Sequence, residues 1–324
     1  MLARDREPRK AVHLRLDVRE TAPRDLCRHG DKLPAVTYSI VGRDPKSGEI
    51  GVAVQSQSFN TAAAVAWAWP GVGAVATQSF TDRRYGWRGL ELMADGVSAA
   101  DALAGLRADD ELADFRQVGM MSIDGSSSQW TGAHCVPSAG GARGTDWVAQ
   151  ANLVESSRVW EAMGEAFSSA TGSLAERLLA ALDAAEAEGG DWRGRGGAGI
   201  VVVPATGERW ERIVDLRVEE GDASLVELRR LLERALGYRS ANRATGDRAE
   251  IARRHGLPAT AVQQGALLDA IDAGTRDEAA RILHKLEAEE PRWRGYFHTL
   301  AKLPELEAFA AFLGELEQSE DTPK

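Results

Sequence analysis

The sequence predicts an α+β protein in which helices layer on antiparallel sheets, followed by a small all-helical C-terminal module. Strands and helices come in blocks along residues 37–237 rather than alternating singly. Beyond residue 247 only helical periodicity remains. Blocks of this kind suit helices on antiparallel sheet better than a doubly wound parallel sheet, and a four-layer α-β-β-α sandwich is one such solution.

Residues 1–36 are predicted to form no regular structure. They are rich in Arg and Asp and show no sustained period of 2 or 3.6 residues. We interpret this stretch as a disordered arm. A second hypothesis makes it a non-native leader. A valine codon can start translation, so Val36 could be the initiator residue, and its removal would expose Thr37.

A β-hairpin is predicted to open the main domain, residues 37–237. Residues 37–41 and 50–56 are its strands, and Asp44, Pro45 and Gly48 between them are typical of a turn. Residues 71–80 form a third strand that is almost wholly apolar, which predicts burial on both of its faces.

The remaining elements of this domain follow from periodicity and turn chemistry. Val159, Met163 and Phe167 recur at helical spacing, as do Leu174 and Leu178 in the next segment. The predicted helices are 85–94, 102–107, 157–167, 173–188 and 225–236, and the predicted strands are 116–123, 129–135, 147–153, 198–204 and 212–218.

The C-terminal region is predicted to be a separate small helical domain, residues 248–317. Residues 238–247 are polar and form a plausible linker before it. Gly274 and Pro291 punctuate the helical segments. These segments are 248–255, 260–273, 276–289, 294–302 and 305–316.

Charge and composition exclude several functional classes. The net charge of -10 and pI of about 5.3 argue against a general affinity for nucleic acid or for anionic membranes. The two cysteines cannot form a disulfide framework, and no two histidines have H-x-x-x-H spacing, so no metal site is predicted. No apolar run reaches the ~18 residues of a membrane helix, and no secretory signal is visible. We therefore expect a cytoplasmic protein.

Several stretches in fixed order and spacing resemble one family. The stretches are TYSIVGRDPKSGEIGVAV, PGVGAVATQSF, YGWRGLELMADGVSAADAL, TGAHC, AQANLV and GGDWRGRGG, which together cover residues 37–236. They are similar to the family of domains of unknown function 1028, often placed among folds like those of the N-terminal-nucleophile (Ntn) hydrolases. The resemblance implies a four-layer α-β-β-α Ntn-hydrolase-like sandwich. The helical tail is similar to a module described as peptidoglycan-binding.

The sequence departs from the family pattern in two segments. Gly196-Gly197-Ala198 stands where the family usually has Gln-Ser-Ala, and residues 57–60 are more polar than usual. Both departures bear on the identity of the substrate rather than on the fold.

The resemblance implies a reaction for the first residue of the domain. An Ntn hydrolase attacks an amide carbonyl with the hydroxyl or thiol of its first residue, and the α-amine of that residue is the base. If Val36 is removed, Thr37 supplies both groups. The alternative is that Thr37 is simply a β-branched residue that opens a strand.

Four further polar residues are candidates for the same site. Asn152 is the first choice for an oxyanion donor, and Gln150 shares its strand face. Ser56 could orient the amine of Thr37, and Gln78 interrupts an apolar strand. Each also has a structural interpretation, as a turn-flanking serine or as a polar residue on a strand face.

Residues expected to bind substrate lie in nearby loops and at a helix start. Arg193 and Arg195, with Asp191, lie on a Gly-rich loop and suggest recognition of an acidic small molecule. The alternative is a surface loop with one Asp–Arg pair. Gln57 and Tyr85 are the other candidates, and a role in core contacts is open for Tyr85.

The function predicted from these observations is a cofactor-independent amidohydrolase that cleaves a non-peptide C–N bond of a small substrate. In one version of this hypothesis the substrate is anionic. Two alternatives remain: a non-catalytic binding or assembly protein with the same fold, and a protein that acts through its helical tail. No cofactor is expected, because the GxG runs lack the strand–GxGxxG–helix context of a dinucleotide site. An apolar, Trp-containing segment, residues 62–69, suggests a homodimer or higher homo-oligomer.

Overall fold

The computed structural model describes residues 37–320. The predicted arm or leader, residues 1–36, lies outside the described residues. The mixed α+β class and the helical C-terminal region are both confirmed, because two antiparallel sheets precede a run of helices.

Ten strands form the two sheets. The six-stranded sheet has the order β10-β9-β2-β1-β8-β7, and the four-stranded sheet has the order β3-β4-β5-β6. The strands are β1 (Thr37–Arg43), β2 (Ile50–Ser56), β3 (Ala66–Trp69), β4 (Gly73–Ser79), β5 (Arg116–Ser122), β6 (Ser127–Thr131), β7 (Gly140–Gly144), β8 (Trp147–Asn152), β9 (Gly197–Val203) and β10 (Val214–Val218).

Within residues 37–320, six helices belong to the same part of the chain as the sheets, and five follow them. The first group is α1 (Thr61–Val65), α2 (Arg84–Ala94), α3 (Ala99–Ala108), α4 (Val159–Ser169), α5 (Leu174–Ala187) and α6 (Ser224–Arg243). The second group is α7 (Arg248–Arg254), α8 (Ala259–Asp272), α9 (Arg276–Glu289), α10 (Trp293–Leu300) and α11 (Glu307–Glu320).

Three hydrophobic cores stack along the domain that carries the sheets. The first joins α4, α5 and α6 to one face of the six-stranded sheet and includes Ile40, Phe167 and Leu178. The second fills the space between the two sheets and includes Val52 and Met121. The third lies between the four-stranded sheet and the helices α2 and α3. The elements therefore follow the order helices, sheet, sheet, helices.

Strand β1 lies inside the six-stranded sheet, between β2 and β8. Its first residue, Thr37, is the direct partner of Ser56 on β2 and of Asn152 on β8. Ser56 in turn pairs with Gly197, the first residue of β9. Because neighbouring strands are antiparallel, the start of β1 and the ends of β2 and β8 meet at one end of the sheet.

Some predicted elements differ from the structure in their bounds. The predicted strand 71–80 begins at Gly73, because Gly71 has a φ of +70° in the turn that follows β3. The predicted strand 129–135 already ends at Thr131. The polar stretch 238–247, predicted as a linker, continues α6 to Arg243, since no proline or turn sequence interrupts the helix before that point.

The C-terminal helices have a hydrophobic core of their own. It consists of residues from α8 to α11, including Leu283, Leu286, Phe297 and Phe309. None of the helices within residues 37–320 is both long enough and apolar enough to span a bilayer.

Candidate active site

Polar residues of both sheets meet where β1 begins and where β2, β4 and β8 end. Thr37, Ser56, Gln78 and Asn152 are fully buried there. The hydroxyl of Thr37 donates to the Ser56 hydroxyl over 3.3 Å. The structure therefore brings together four of the residues that sequence reasoning selected, from three different strands of one sheet and one strand of the other.

Gln117, on β5, links the two sheets at this point. Its Oε1 accepts hydrogen bonds of 2.8 Å from Gln78 Nε2 and from Asn152 Nδ2. Its Nε2 lies 3.0 Å from the carbonyl oxygen of Ala151 and 3.1 Å from that of Gly140. Sequence reasoning missed Gln117, although it has the signal that identified Gln78: an amide side chain within a strand that is otherwise mostly apolar.

Gln78 connects this network to Thr37 itself. Its Nε2 donates to the carbonyl oxygen of Thr37 over 3.0 Å, and its Oε1 accepts from the Ser39 hydroxyl over 2.6 Å. Gln150 is farther along β8 and donates to Ser39 and to the carbonyl oxygen of Ala76, at 3.4 and 3.1 Å. Gln78 therefore contacts Thr37 directly. Gln150 instead contacts Ser39 and Ala76, between the sheets and two residues farther from this end of the strands.

The loop after α5 closes over the end of β2. Asp191 Oδ2 accepts from the backbone N–H of Gln57 over 2.9 Å, and Arg193 pairs with the same carboxylate at 3.4 Å. Burial raises the pKa of Asp191, and the neighbouring Arg193 opposes that shift. The loop is thus tied to the strand end beside Ser56.

Residues 57–60 and the Gly-rich residues 196–198 contact each other. A Cβ on Gly196 would meet the carbonyl oxygen of Gln57 at 2.1 Å, and the backbone N–H of Gly197 donates to the carbonyl oxygen of Ser58 over 3.2 Å. Only glycine at position 196 permits so close an approach. The two segments therefore shape one and the same stretch of the site wall.

A second polar cluster lies on the opposite face of β1 and β2. Glu186 of α5 accepts from the Tyr38 hydroxyl over 2.7 Å and from Arg195 Nε over 2.6 Å. Burial, followed by the charge of Glu186, raises the pKa of Tyr38. Gln55, which is fully buried nearby, has no hydrogen-bond partner for its amide within residues 37–320. Arg195 and Arg193 are thus each paired with a carboxylate of the chain.

Tyr85 lies away from Thr37, on the helix side of the four-stranded sheet. Its buried hydroxyl donates to Asp110 over 3.0 Å, and burial followed by the charge of Asp110 raises its pKa. A groove of about 600 Å³ adjoins it, lined by Trp67, Trp87 and Arg83 among others. The structure therefore does not bring Tyr85 together with the residues around Thr37.

Residues that end strands at the candidate site have unusual backbone conformations. Ser79 follows Gln78 with a φ of 68°, and Leu153 follows Asn152 with a φ of 50°. Asn60, four residues after Ser56, also has a φ of 50°. Non-glycine residues rarely adopt this region, and such strain tends to cluster at functional sites.

The thiol of Cys135 adjoins the site. Cys135 is half-buried, its Sγ donates to the Ser79 hydroxyl over 3.3 Å, and burial raises its pKa. A raised thiol pKa makes a poor nucleophile at neutral pH. Among the described residues, no group of three or more His, Cys, Asp or Glu side chains is placed to hold a metal ion.

The fold and this site define an α+β protein with a buried polar site where strand ends of its two sheets meet. A family model described as a family of unknown function, DUF1028, matches residues 37–228. The chain therefore belongs to the DUF1028 family. It is similar to the crystal structure of a DUF1028 protein from Silicibacter pomeroyi, with 28% identity and a TM-score of 0.58 over 67% of this chain and 90% of that chain. No curated protein matches the chain.

Proposed function

We propose that the protein is a cofactor-independent Ntn-type amidohydrolase that cleaves a non-peptide C–N bond of a small substrate, with Thr37 as nucleophile. The observation that carries the proposal is the position of Thr37. Thr37 is the first residue of a strand inside the sheet. The Ser56 hydroxyl lies 3.3 Å from the Thr37 hydroxyl, and Asn152 is the direct partner of Thr37 on the neighbouring strand β8. A nucleophile whose own amine is the base must be the first residue of the mature chain, and a chain that begins at Thr37 would place it at the start of β1.

The reaction uses only groups of the chain and of the substrate. The α-amine of Thr37 takes the hydroxyl proton while Oγ1 attacks the amide carbon. The tetrahedral oxyanion then collapses, the C–N bond breaks and the leaving amine takes the proton. Water hydrolyses the resulting ester and restores the hydroxyl. Asn152 Nδ2 has a second hydrogen beyond the one donated to Gln117, and it supports the oxyanion.

An anionic substrate remains part of the proposal. Arg195 is about half exposed, with 48% of its side chain accessible, and its present partner is Glu186. A substrate carboxylate could take the place of Glu186 as its partner, since exposed ion pairs exchange at little cost.

The test begins with the amino terminus. We expect the intact mass of protein from its native host to correspond to a chain that starts at Thr37. Such protein should release nitroaniline from acetyl- or succinyl-p-nitroanilide, with the succinyl compound preferred if the anionic version holds. Thr37→Ala should reduce the rate by about 10³-fold or more, with an unchanged circular dichroism spectrum.

Two outcomes would contradict this function. A native chain that retains residues before Thr37 has no free α-amine there, so this mechanism fails. Undiminished turnover in Thr37→Ala would show that another group is the nucleophile. Thr37→Ser is the matched variant, because it keeps both the hydroxyl and the amine and should retain part of the activity.

One observation favours the alternative of a non-catalytic binding protein. Thr37 is fully buried, with none of its surface accessible. A nucleophile must be reached by its substrate, so a Thr37 that stays covered would have only a structural role. If the native chain retains residues before Thr37 and neither nitroanilide is cleaved, the binding interpretation is the better one.

Self-association is the second part of the proposal. The predicted interface segment, residues 62–69, offers little surface, since Ala62, Val65, Ala68 and Trp69 are each at most 5% exposed. Trp87 and Trp210 are 47% and 74% exposed and are better candidates for contacts of a homodimer. A monomeric mass in light scattering at micromolar concentration would contradict a homodimer.

The likeness of the helical tail to a peptidoglycan-binding module is also a proposal. Its support is an aromatic pair on α10, where Tyr296 is 45% exposed and its ring centroid lies 5.3 Å from that of Trp293. Co-sedimentation with purified peptidoglycan, compared between the wild type and Tyr296→Ala, tests it. Failure of the wild type to sediment would remove the proposal.

A further inference from the structure

The orientation of the buried amides beside Thr37 follows from their partners. The side-chain atom of Gln117 near the carbonyl oxygens of Gly140 and Ala151 must be nitrogen, because a carbonyl only accepts. Its Oε1 therefore faces Asn152, 2.8 Å away, and the atom of Asn152 at that contact must be Nδ2. The positions of oxygen and nitrogen in the Asn152 amide therefore follow from its hydrogen-bond partners alone.

This orientation leaves one acceptor of Asn152 unused. Its Oδ1 is buried and has no hydrogen-bond partner in the part of the chain that the structure describes. Gln78 is not available as its donor, because its Nε2 already lies at hydrogen-bond distance from the carbonyl oxygen of Thr37 and from Gln117 Oε1. Buried acceptors nearly always have a donor, so one is expected here.

We infer that Asn152 is a positioning residue whose Oδ1 accepts a hydrogen bond from the free α-amine of Thr37, an inference that rests on the proposed function. The two residues are direct cross-strand partners, so their side chains share one face with Cβ atoms about 4.5–5.5 Å apart. An amide nitrogen has one hydrogen, whereas a free ammonium has three. Release of the amine therefore supplies new donors beside the unused oxygen.

The hydrogen bond has a chemical consequence for the base. A neutral amine held by one of its hydrogens has a defined direction for its lone pair. Asn152 on one side and the Ser56 hydroxyl on the other then keep the amine and Oγ1 of Thr37 in place for proton transfer. Through its Oδ1, Asn152 acts on Thr37 and not on the scissile bond, while its Nδ2 keeps the separate oxyanion role proposed above.

The charged groups around Thr37 have partners of their own. Asp191 accepts from Gln57 and pairs with Arg193, and Glu186 binds Tyr38 and Arg195 on the other face of β1. Within residues 37–320, the titratable or charged groups near this end of β1 include Glu186 of α5, Asp191, Arg193 and Arg195 of the loop after α5, Tyr38 of β1, Arg116 of β5 and Cys135 of the loop after β6.

The experiment measures the pKa of the α-amine in protein that begins at Thr37, made by cleavage of a fusion directly before it. The core residues that the structure describes around the sheets lie at or after Tyr38, so this protein keeps all of them. The threonine ¹³Cα signal that is missing from the Thr37→Ser spectrum reports the titration between about pH 5 and 10, around the ordinary α-amine value of about 8. Thermal unfolding verifies that each variant is folded.

The two variants of Asn152 should shift this pKa in opposite directions. Asn152→Ala removes an acceptor that favours the ammonium form, so we expect the pKa to fall by about one unit. Asn152→Asp places a carboxylate beside the amine, so we expect the pKa to rise above that of the wild type. A residue with only a structural role would not produce shifts of opposite sign.

Gln150→Ala is the matched control. Gln150 is equally buried, lies two residues away on the same strand face and also has an unpartnered Oε1, but it pairs with Ser39 instead of Thr37. Its removal should leave the α-amine pKa unchanged. An equal pKa in the wild type and Asn152→Ala, or shifts of the same sign in both Asn152 variants, would overturn the inference.

The result can be separated from the fate of the proposed function. The titration needs no substrate, so opposite shifts without any release of nitroaniline support the positioning role while the hydrolase proposal fails. If a nitroanilide is turned over but the α-amine pKa does not change in the Asn152 variants, the hydrolase proposal is supported and the positioning role fails.

Discussion

At the scale of single residues, a small number of buried polar side chains holds the two sheets together beside Thr37. Gln117 contacts Gln78, Asn152 and Thr131 as well as two backbone carbonyls, and it is fully buried. Loss of one member of such a network leaves several buried groups without partners, and each costs about 1–3 kcal/mol. These polar side chains therefore determine how the two sheets are arranged as much as they stabilise the fold.

Gln117→Leu should lower the free energy of unfolding by about 3 kcal/mol or more, because Asn152, Gln78 and the carbonyl oxygen of Ala151 lose their common partner. Urea unfolding measures the change. Gln129→Leu is the control, since Gln129 is only half-buried and its side chain donates to Thr131, and it should cost less than about 1 kcal/mol. Equal losses in the two variants would refute the central role of Gln117.

A second prediction concerns Asp110, which joins α3 to β5. It is 8% exposed and accepts from Arg116 Nε over 2.9 Å and from the Tyr85 hydroxyl over 3.0 Å. Burial alone would raise its pKa, but the hydrogen bond and charge of Arg116 hold the pKa below its ordinary value. The unfolded state therefore binds the proton more readily, and the stabilisation is lost as the pH falls.

Asp110→Asn should destabilise the protein by about 2 kcal/mol at pH 7, with the difference from the wild type shrinking below about pH 4. Urea unfolding at several pH values between 3 and 7 gives both curves. Asp109→Asn, on the exposed neighbour, should change stability by less than about 0.5 kcal/mol. A difference that stays constant down to pH 3 would contradict the depressed pKa.

At the scale of elements, the loop between α5 and β9 determines the shape of the site wall. Asp191 ties it to Gln57, and Gly196 lies so close to Gln57 that a Cβ would meet its carbonyl oxygen at 2.1 Å. The loop also carries Arg193 and Arg195, both paired with carboxylates. Its position depends on backbone contact rather than on apolar burial.

Gly196→Ala should therefore push the loop away from the end of β2 and destabilise the protein by about 2 kcal/mol or more. The matched control is Gly105→Ala in α3, where a Cβ meets no atom within 4 Å. That change should raise stability by about 0.5–1 kcal/mol, as expected for glycine within a helix. Melting temperatures measure both, and equal melting temperatures would disprove the close approach.

At the scale of the whole molecule, the hydrophobic cores divide the described chain into two parts. Three cores stack around the two sheets, whereas the fourth consists only of residues from α8 to α11. A region with its own core can unfold in a separate transition. Helix α6, which continues to Arg243, connects the two parts.

Phe297→Ala and Phe167→Ala should each affect a different transition in calorimetry. Phe297 is 2% exposed in the core of the C-terminal helices, and Phe167 is fully buried against the six-stranded sheet. Each truncation should cost about 3–5 kcal/mol in its own part. If both variants lower one common transition equally, the two parts unfold as a single cooperative unit.

The sequence by itself determined most of the order of strands and helices, the hairpin of β1 and β2, and the place of Thr37 at a strand start, but it did not predict β3, β7 or α1. Strand and helix periodicity and turn chemistry act between residues that are close in the chain, so these features can be predicted locally. The same locality explains the misplaced boundaries. A helix such as α6 ends where its tertiary contacts and the next turn allow, and its polar last turns show no local stop signal.

Only the tertiary structure decided which residues meet. Gln117 contacts Asn152 across 35 positions of the chain and Gln78 across 39, and these contacts fix the direction of each amide. Likewise, the pairing of Arg195 with Glu186 depends on how α5 lies against the sheet. The physical reason is that contacts between sheets depend on register and on the distance between layers, and neither is recorded in the period of a single strand.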